Sequence, residues 1–355
     1  MTVKKGDFTK KLLKWHKKEN SRDMPWKGEK DPYKIWLSEI ILQQTRVEQG
    51  LNYYHSFLKN FPSVNHLAAA PKTKVYKLWE GLGYYNRCKN LINTARDVVE
   101  NRNGKFPEEL EELKSLKGIG PYTAAAISSF AFNKPNAVLD GNVFRVLARV
   151  FGIRKQIDST EGKFFFSKLA ADLLEKKQPA IYNQAIMDFG ATVCKPQPDC
   201  SICPFIKYCK AFQTSSISEL PIKGKKTTIK KRWFNYLIVD YKGKLGIEQR
   251  NQNEIWENLF QFSLIETKSE KPDEYILTQA VQKKLLNKDS FELIETSQSY
   301  RQQLSHQLIY GKFLRIKLIN RPIKNKRTIW VTQLSLKEFP FPKLINQYLE
   351  EELGL

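Results

Sequence analysis

The sequence predicts two domains: a mainly α-helical domain over residues 1–212 and a smaller, strand-containing domain over residues 230–355. Apolar residues recur at helical spacing through much of the first half of the chain. Residues 213–229 are polar and basic and include proline and glycine, which is typical of a linker. After residue 233 the pattern changes to the alternation of a β-hairpin.

The composition indicates a globular protein with a polyanionic partner. The chain has 355 residues, of which 41% are hydrophobic, and its 59 Lys and Arg against 37 Asp and Glu give a net charge of +22. The excess is spread along the chain, with +9 in residues 223–355 and +13 in the rest. Such an excess favours nucleic acid as the partner. No long apolar run or signal peptide is evident, so we expect a soluble, intracellular protein.

Residues 116–142 form the central motif, a turn between two helical patterns. Gly118 and Gly120 lie in the turn, and the second helix is predicted to open with Pro121. We expect the turn to need glycines because only they adopt positive φ at little cost. The free N–H groups at the start of that helix could bind one backbone phosphate without contacting bases. A helical hairpin packed in a core, with no ligand, explains the same pattern.

Glu39 is a candidate general acid. A helix is predicted to start at Asp31 and to extend to about residue 43, with Ile35, Glu39 and Leu42 on one face. A carboxyl in an apolar stripe should have a raised pKa and could hold a proton near neutral pH. A glutamate at the edge of the stripe that reaches water or a lysine is the alternative.

Asp140 is the candidate partner of that acid. It lies just before a predicted helix over residues 143–150, where the helix dipole favours a charged carboxylate. When one carboxyl is placed to stay protonated and another to stay charged, the first can be assigned as the acid and the second as its electrostatic partner. Simple helix capping by Asp140 is the alternative.

Four cysteines predict a metal centre. They fall within sixteen residues as Cys194-x5-Cys200-x2-Cys203-x5-Cys209. An intracellular chain should not hold structural disulfides, and zinc sites usually use two close cysteine pairs where this spacing offers one. The pattern therefore favours a [4Fe–4S] cluster over zinc. The fifth cysteine, Cys88, is expected to be a small buried residue.

Five segments together resemble the MutY family of adenine DNA glycosylases, within the helix-hairpin-helix glycosylase superfamily. They are Ser38–Thr45, Gly81–Tyr85, Leu116–Thr123, Leu139–Val143 and the four-cysteine loop, in that order. The resemblance is close over residues 8–212 and looser beyond them. It implies a helix-hairpin-helix domain of two helical lobes with an Fe–S loop, followed by a smaller Nudix-like α/β domain. No box of spaced glutamates is evident there, so no pyrophosphatase activity is expected.

The resemblance implies the removal of adenine mispaired with 8-oxoguanine or guanine. Glu39 would protonate N7 of the flipped adenine, and Asp140 would stabilise the sugar cation. Tyr122 would contact the catalytic carboxylate and the DNA, and Asn142 would steady Asp140. Related glycosylase-lyases carry a lysine where this chain has Tyr122, so a monofunctional enzyme that leaves an abasic site is expected.

The resemblance also implies a set of DNA contacts. Gln44 would enter the base stack, Tyr84 would stack beside 8-oxoguanine, and Ser305, next to His306, would contact that base. The other predicted substrate and DNA contacts are Arg22, Trp26, Leu42, Thr45, Gly118, Gly120 and Gln184, of which Trp26, Leu42 and Gln184 would line the adenine pocket. The chain departs from the family where Leu304 replaces a phenylalanine, and where five residues instead of six follow Cys194.

Two other functions stay open from the sequence. One is a non-catalytic Fe–S protein that binds DNA, and the other is a glycosylase of the same fold that acts on another mispaired base. The intact Glu39 and Asp140 argue against the first. The expected partner is duplex DNA with an adenine mispair, and the expected protein is a monomer of the cytoplasm, associated with the nucleoid in a bacterium.

Overall fold

The computed structural model describes residues 4–224 and 228–355. Its residues group into two compact units by Cα proximity. The first unit contains residues 4–69 and 90–224, and the second contains residues 70–89 and 228–355. None of the helices in these described ranges is both long and apolar enough to cross a lipid bilayer.

Helices make up most of the first unit. In chain order the helices of the protein are α1 (Lys5–Lys18), α2 (Pro32–Leu42), α3 (Val47–Asn60), α4 (Val64–Ala69), α5 (Lys72–Trp79), α6 (Tyr85–Arg102), α7 (Leu110–Ser115), α8 (Pro121–Phe132), α9 (Gly141–Phe151), α10 (Thr160–Leu173), α11 (Pro179–Thr192), α12 (Lys210–Gln213), α13 (Asp273–Gln282) and α14 (Lys343–Leu353). A short 3₁₀-helix covers Leu334–Glu338. The helices α5, α13 and α14 belong to the second unit, and α6 starts in it.

Local capping sets where the functional helices begin, as the sequence predicts. The Asp31 carboxylate accepts a hydrogen bond from the Tyr33 N–H at 2.9 Å, so α2 starts at the following proline. Pro121 opens α8. The Asp140 carboxylate accepts from the Val143 N–H at 2.7 Å and caps α9. Nearby residues therefore determine where α2, α8 and α9 begin, and these three helix starts position the candidate site.

Helix α2 is buried on nearly all sides. Every residue from Tyr33 to Ile41 except Lys34 is buried, and α2 packs against α3 and α8. The sequence predicts a single apolar stripe, but the helix lies inside the unit and has no broad solvent face. Glu39 is therefore enclosed by protein and is only 7% exposed.

A separate core holds α9 and α11 against α1. Helix α9 is strongly amphipathic, and its apolar side meets α11 and α10. Large buried side chains of this core include Phe8, Trp15, Phe166, Phe189 and Phe205. This packing places the first turn of α9, which Asp140 caps, against α11: a Cβ on Gly190 would come within 2.7 Å of Asn142 Cβ.

The second unit contains one mixed sheet. Its strands are β1 (Lys230–Tyr241), β2 (Lys244–Gln249), β3 (Phe260–Gln261), β4 (Ser263–Thr267), β5 (Phe291–Thr296), β6 (Tyr300–Gln303), β7 (Gln307–Leu318) and β8 (Ile329–Thr332). The central order is β3-β2-β1-β7-β5, with β4 on β1, β6 on β7 and β8 on β2. Strands β1 and β7 are parallel, and the other pairs are antiparallel. The predicted β1–β2 hairpin is confirmed, with its turn at residues 242–243.

Helices cover both faces of this sheet. Phe313 stacks on Tyr348 of α14 with ring centroids 4.1 Å apart. Its neighbour Leu314 packs in the cluster that contains Ile276 of α13. Because successive side chains of a strand point to opposite faces, α13 and α14 lie on opposite sides of β7. The unit is thus a three-layered α/β domain, as the Nudix-like resemblance predicts.

The two units differ from the predicted domain boundaries in two places. Residues 70–89 group with the C-terminal unit, although the sequence places them in the helical domain. Much of the predicted linker 213–229 packs on the helical unit: the Ile222 carbonyl accepts from the Ile157 N–H at 3.0 Å, and the Gly224 N–H donates to the Asp158 carboxylate. A polar, proline-containing segment can either pack on a domain or form a free linker, and composition alone does not distinguish these two possibilities. Residues 225–227 of that predicted linker lie outside the described residues.

Candidate functional site

Glu39 and Tyr122 form the centre of the candidate site. The Tyr122 hydroxyl donates to Oε2 of Glu39 at 2.6 Å, joining α2 to the start of α8. Burial raises the pKa of Glu39 to about 7, the hydrogen bond from Tyr122 opposes this rise, and the nearby charge of Asp140 adds to it. Burial also raises the pKa of Tyr122 well above its ordinary value, so its hydroxyl remains a donor. Glu39 is therefore a carboxyl that holds a proton near neutral pH.

Asp140 lies in the same electrostatic environment. Its charge acts on both Glu39 and Tyr122, so the structure brings together two carboxyls about a hundred positions apart in the chain. Its Oδ1 accepts from the Val143 N–H, and its Oδ2 accepts from the Asn142 amide at 2.8 Å. The sequence predicts that the helix terminus favours the charged form of Asp140. Burial acts in the opposite direction and raises the pKa of Asp140, and its hydrogen bonds with Val143 and Asn142 and the charge of Arg145 offset that rise in part.

Arg145 connects this carboxylate to the cysteine loop, and sequence analysis missed it. Its guanidinium donates to Asn142 Oδ1 and to the Gly190 carbonyl, both at 2.7 Å. It also donates to the Cys194 carbonyl at 2.7 Å. Asn142, in turn, donates to Asp140. Arg145 follows Asn142 by three residues on α9, and that spacing, at which helical side chains meet, was the available signal.

Asp188, a second missed residue, organises the two predicted contacts Arg22 and Gln184. The Asp188 carboxylate is fully buried and accepts from the Arg22 guanidinium at 2.8 Å and from the Gln184 amide at 2.9 Å. Its other oxygen accepts from the Asn20 amide at 2.8 Å. The charge of Arg22 lowers the pKa of Tyr122, which places this cluster near the Glu39 pair. The sequence signal was an acid within an apolar helix, the same pattern that singled out Glu39.

The two hairpin glycines differ in their backbone. Gly118 has φ +81°, and a Cβ there would come within 2.6 Å of Asn90 Cβ, so both conformation and space require glycine. Gly120 has φ −84°, which any residue adopts, so the expected need for positive φ is wrong at this position. A Cβ on Gly120 would meet nothing within 4 Å. Both glycines are exposed, and within the described residues neither N–H has a hydrogen-bond acceptor. The turn therefore offers two backbone donors on exposed residues.

The end of α2 carries the predicted wedge. Gln44 is exposed and has φ +57°, a conformation that is uncommon outside glycine and is often found at functional positions. Leu42 and Thr45 are partly buried on either side of it, and the Thr45 N–H donates to the Leu42 carbonyl. Trp26 is also partly buried and packs edge-on against Tyr54, with ring centroids 5.3 Å apart.

The predicted lesion contacts meet in the second unit. Tyr84 is 48% exposed and, like Gln44, has a positive φ, here +47°. Ser305 and His306 are exposed in the turn between β6 and β7. The Ser305 hydroxyl donates to the Tyr84 hydroxyl at 3.2 Å. The resemblance assigns both residues to the same base, and although they are 221 positions apart in the chain they are in contact.

The four cysteines line one cavity. Cys194, Cys200, Cys203 and Cys209 surround it together with Arg149. The Arg149 guanidinium contacts Cys194 Sγ at 3.7 Å and donates to the Lys195 carbonyl at 2.7 Å. Among the described residues, no group of three or more His, Cys, Asp or Glu side chains is arranged to ligate a single metal ion. A compact set of four sulfurs around a common cavity, beside a cationic side chain, fits the thiolate ligation and negative charge of an Fe–S cluster.

A buried carboxyl with a raised pKa, a helical hairpin with exposed glycines and a four-cysteine loop occur together on one helical scaffold, and this combination points to a class of DNA repair proteins. Residues 37–171 match the helix-hairpin-helix superfamily of base excision DNA repair proteins. Residues 235–351 match the Nudix domain. The fold is shared with a thermostable thymine-DNA glycosylase (28% identity, TM-score 0.55), which covers 59% of this chain and 97% of its own. Endonuclease III in a DNA complex has the same fold (21% identity, TM-score 0.53, 60% of this chain and 99% of its own).

Full-length relatives identify the family within this class. The adenine DNA glycosylase of Buchnera aphidicola subsp. Baizongia pistaciae is 34% identical over 331 residues, which cover 91% of this chain and 90% of that protein. The mouse adenine DNA glycosylase is 41% identical over 227 residues, 60% of this chain and 44% of that protein. The chain belongs to the adenine DNA glycosylase family.

Proposed function

We propose that this enzyme hydrolyses the N-glycosidic bond of adenine mispaired with 8-oxoguanine or guanine in duplex DNA. Family membership supports adenine removal in base excision repair. The observation that carries the proposal is the buried Glu39 carboxyl, whose pKa is about 7, beside Tyr122 and Asp140. Adenine is a poor leaving anion, so it must depart as a protonated base, and a group half-protonated at neutral pH suits that task.

We assign each residue a role in this reaction. Glu39 donates the proton to N7 of the extruded adenine; Tyr122 occupies Oε2, which leaves Oε1 to carry the proton. Asp140 balances the positive charge that develops on the sugar, and Asn142 holds its carboxylate in place. The base must leave the helical stack before either carboxyl reaches it.

The DNA contacts follow from exposure and charge. The N–H groups of Gly118 and Gly120 bind a backbone phosphate, and the net charge of +22 favours the duplex as a whole. Gln44 enters the base stack at the vacated position, with Thr45 beside it, and Trp26, Leu42, Arg22 and Gln184 contribute to the adenine pocket. Tyr84, Ser305 and His306 contact the base opposite the adenine.

Cys194, Cys200, Cys203 and Cys209 hold a [4Fe–4S] cluster. When bound, the cluster supplies a structural cross-link within its loop. The Arg149 guanidinium, which contacts Cys194 Sγ, and the Arg145 guanidinium, which contacts the carbonyl of the same residue, hold the loop on α9. The shorter gap after Cys194 does not move it from the cavity that the other three cysteines line.

The test is a single-turnover assay on duplexes with adenine opposite 8-oxoguanine, adenine opposite guanine, and thymine opposite guanine. We expect adenine release from the first two, no thymine release, and an abasic product with an uncut strand. Borohydride should trap little covalent complex, because Tyr122 provides no amine. Release of thymine alone, or strong trapping that depends on an active-site lysine, would contradict the proposal.

Ser305→Ala tests the recognition of the opposite base. We expect the ratio of rates on adenine:8-oxoguanine and adenine:guanine to fall about threefold to tenfold, the effect of one hydrogen bond. The rate on adenine:guanine should stay within about twofold, since Ser305 lies in the second unit and the candidate acid lies in the first. An unchanged ratio would remove Ser305 from the recognition set.

A further inference from the structure

Residues 70–89 carry Tyr84 and are fastened to the C-terminal part of the second unit at several points. The Lys77 ammonium donates to the Phe339 carbonyl at 3.1 Å, and the Phe341 N–H donates to the Glu80 carboxylate at 2.7 Å. These bonds fix the end of α5, on one side of the turn that holds Tyr84. The family match over residues 37–171 treats this segment as part of the helical domain, yet it groups with the sheet.

A second pair of contacts fixes the other side of that turn. Lys89, one turn into α6, donates to both oxygens of Glu257 at 2.7 and 2.9 Å. The next residue, Asn258, donates its side-chain amide to the Tyr76 hydroxyl of α5 at 2.9 Å. Glu257 and Asn258 therefore hold α5 and the start of α6 together, with Tyr84 between them.

The loop that presents these two residues is itself unusual. Asn253, Trp256 and Asn258 all have positive φ, between 60° and 68°. The bulky Trp256 is 7% exposed, which is a costly combination with positive φ. Arg250 stabilises the loop by donating to the Ile255 carbonyl at 2.7 Å and by pairing with Glu254 at 3.2 Å. Residues held in sparsely populated conformations by their surroundings cluster at functional positions.

The ion pair of Glu257 with Lys89 should stabilise the structure more than a fully exposed ion pair does. The Glu257 side chain is only 10% exposed and that of Lys89 is 35% exposed, so water screens the pair less than it screens an exposed one. The carboxylate also accepts from the Asn253 N–H, which couples the strained loop to α6. Loss of the charge at Glu257 would weaken its hydrogen bonds to Lys89 of α6 and to the Asn253 N–H of the loop.

We propose that Glu257 is a positioning residue for recognition of the base opposite adenine, acting through Lys89 to hold Tyr84 in place. This proposal rests on the function proposed above. The tyrosine needs such support because its backbone has a positive φ and its ring is half exposed. Its only side-chain hydrogen bond, among the described residues, is the one with Ser305. The ion pair holds the α6 side of the turn and Ser305 holds the hydroxyl end.

The experiment compares Glu257→Gln, Lys89→Met and the double variant in single-turnover assays on adenine:8-oxoguanine and adenine:guanine duplexes. We expect each single variant to lower the ratio of the two rates by about threefold to tenfold, and the double variant to lower it no further. The rate on adenine:guanine should stay within about twofold. Asp273→Asn is the matched control, because it neutralises a partly buried ion pair with Lys312 in the same unit, and its carboxylate bonds Lys312 and Thr296 instead of residues 70–89.

The outcomes separate this proposal from the proposed function. Tyr84→Ala is included as the reference for loss of the tyrosine. If Tyr84→Ala lowers the ratio and Glu257→Gln leaves it unchanged, the positioning role is overturned while the function stands. If the ratio falls equally in Asp273→Asn, the effect is one of general stability and the role is also overturned.

If no variant, nor the unchanged protein, releases adenine, the proposed function fails. The ratio of duplex affinities then replaces the ratio of rates, and its insensitivity to Glu257→Gln overturns the positioning role.

Discussion

Replacement of Glu39 by glutamine should abolish base removal and, at alkaline pH, stabilise the fold. Glutamine has nearly the same shape and its carbonyl oxygen accepts the Tyr122 hydroxyl, but it carries no transferable proton. A positioned general acid contributes about 10²–10⁴ in rate, so we expect a loss within that range. The reaction of the unchanged enzyme should slow as the pH rises above about 7, where Glu39 loses its proton.

The stability change follows from the same pKa. The folded-state pKa of Glu39 is about 7, above its ordinary value of 4.5, so the folded protein binds this proton more tightly than the unfolded chain. The stabilising contribution of that proton is therefore fully present below about pH 4.5 and is lost as the pH rises through 7. Raising a pKa by one corresponds to about 1.4 kcal/mol, so the buried charge costs roughly 3 kcal/mol at pH 8 and under about 1 kcal/mol at pH 5. Glu39→Gln avoids this cost.

The assay is urea unfolding of Glu39→Gln and the unchanged protein at pH 5 and pH 8, alongside adenine release under single-turnover conditions. The free energy of unfolding of the variant, relative to the unchanged protein, should rise by about 2.5 kcal/mol between the two pH values. Glu350→Gln, at an exposed position of α14, controls for the loss of one negative charge. A variant that keeps a tenth or more of the rate, or whose relative stability does not change with pH, would refute the reasoning.

Three further predictions concern the hairpin, the tyrosine and the cysteine loop. Gly118→Ala should lower the free energy of unfolding by about 2 kcal/mol or more, because Gly118 has a positive φ and lies close to Asn90. Gly120→Ala should change the free energy of unfolding by less than about 0.5 kcal/mol and should weaken duplex binding. Urea unfolding and DNA titration distinguish the two variants. Tyr122→Phe should shift the alkaline limb of the rate profile to higher pH, because it removes a hydrogen bond that lowers the pKa of Glu39; an unshifted limb would argue against Glu39 as the titrating group. Cys203→Ala should abolish iron binding in the purified protein while the buried Cys88→Ala retains it, and equal iron content in both would rule out the assigned ligands.

Helix starts were predictable because their causes are local. Asp31, Pro121 and Asp140 each act within three or four residues of the helix end that they determine. The starts of α2 and α8 lie where the sequence places them, and α9 begins at Gly141, two residues before its predicted start. The same holds for the β1–β2 hairpin. The cysteine spacing was equally informative, because one loop supplies every predicted ligand.

Contacts between distant segments were less predictable. Asp188 accepts hydrogen bonds from Asn20 and Arg22, which lie 168 and 166 positions away in the chain, as well as from the nearby Gln184. The apolar helix around Asp188 indicates a buried acid, but no local pattern indicates its distant partners. The helix start at Asp140 is visible in the sequence, whereas the burial that raises the pKa of this carboxyl is not. Residues 70–89 bond to Glu257, Asn258, Phe339 and Phe341, which lie far along the chain, and no local pattern indicates those contacts.

The sequence by itself determined which residue types are available for the chemistry: a glutamate in an apolar helix, an aspartate at a helix start, a tyrosine instead of a lysine, and four clustered cysteines. These follow from composition and short-range spacing, which the order of residues specifies directly. Only the tertiary structure decided that Glu39 and Asp140 share one electrostatic environment, that burial raises the pKa of both, and that Tyr84 is held beside Ser305. Those properties depend on solvent exclusion and on distances across the fold, which packing alone sets.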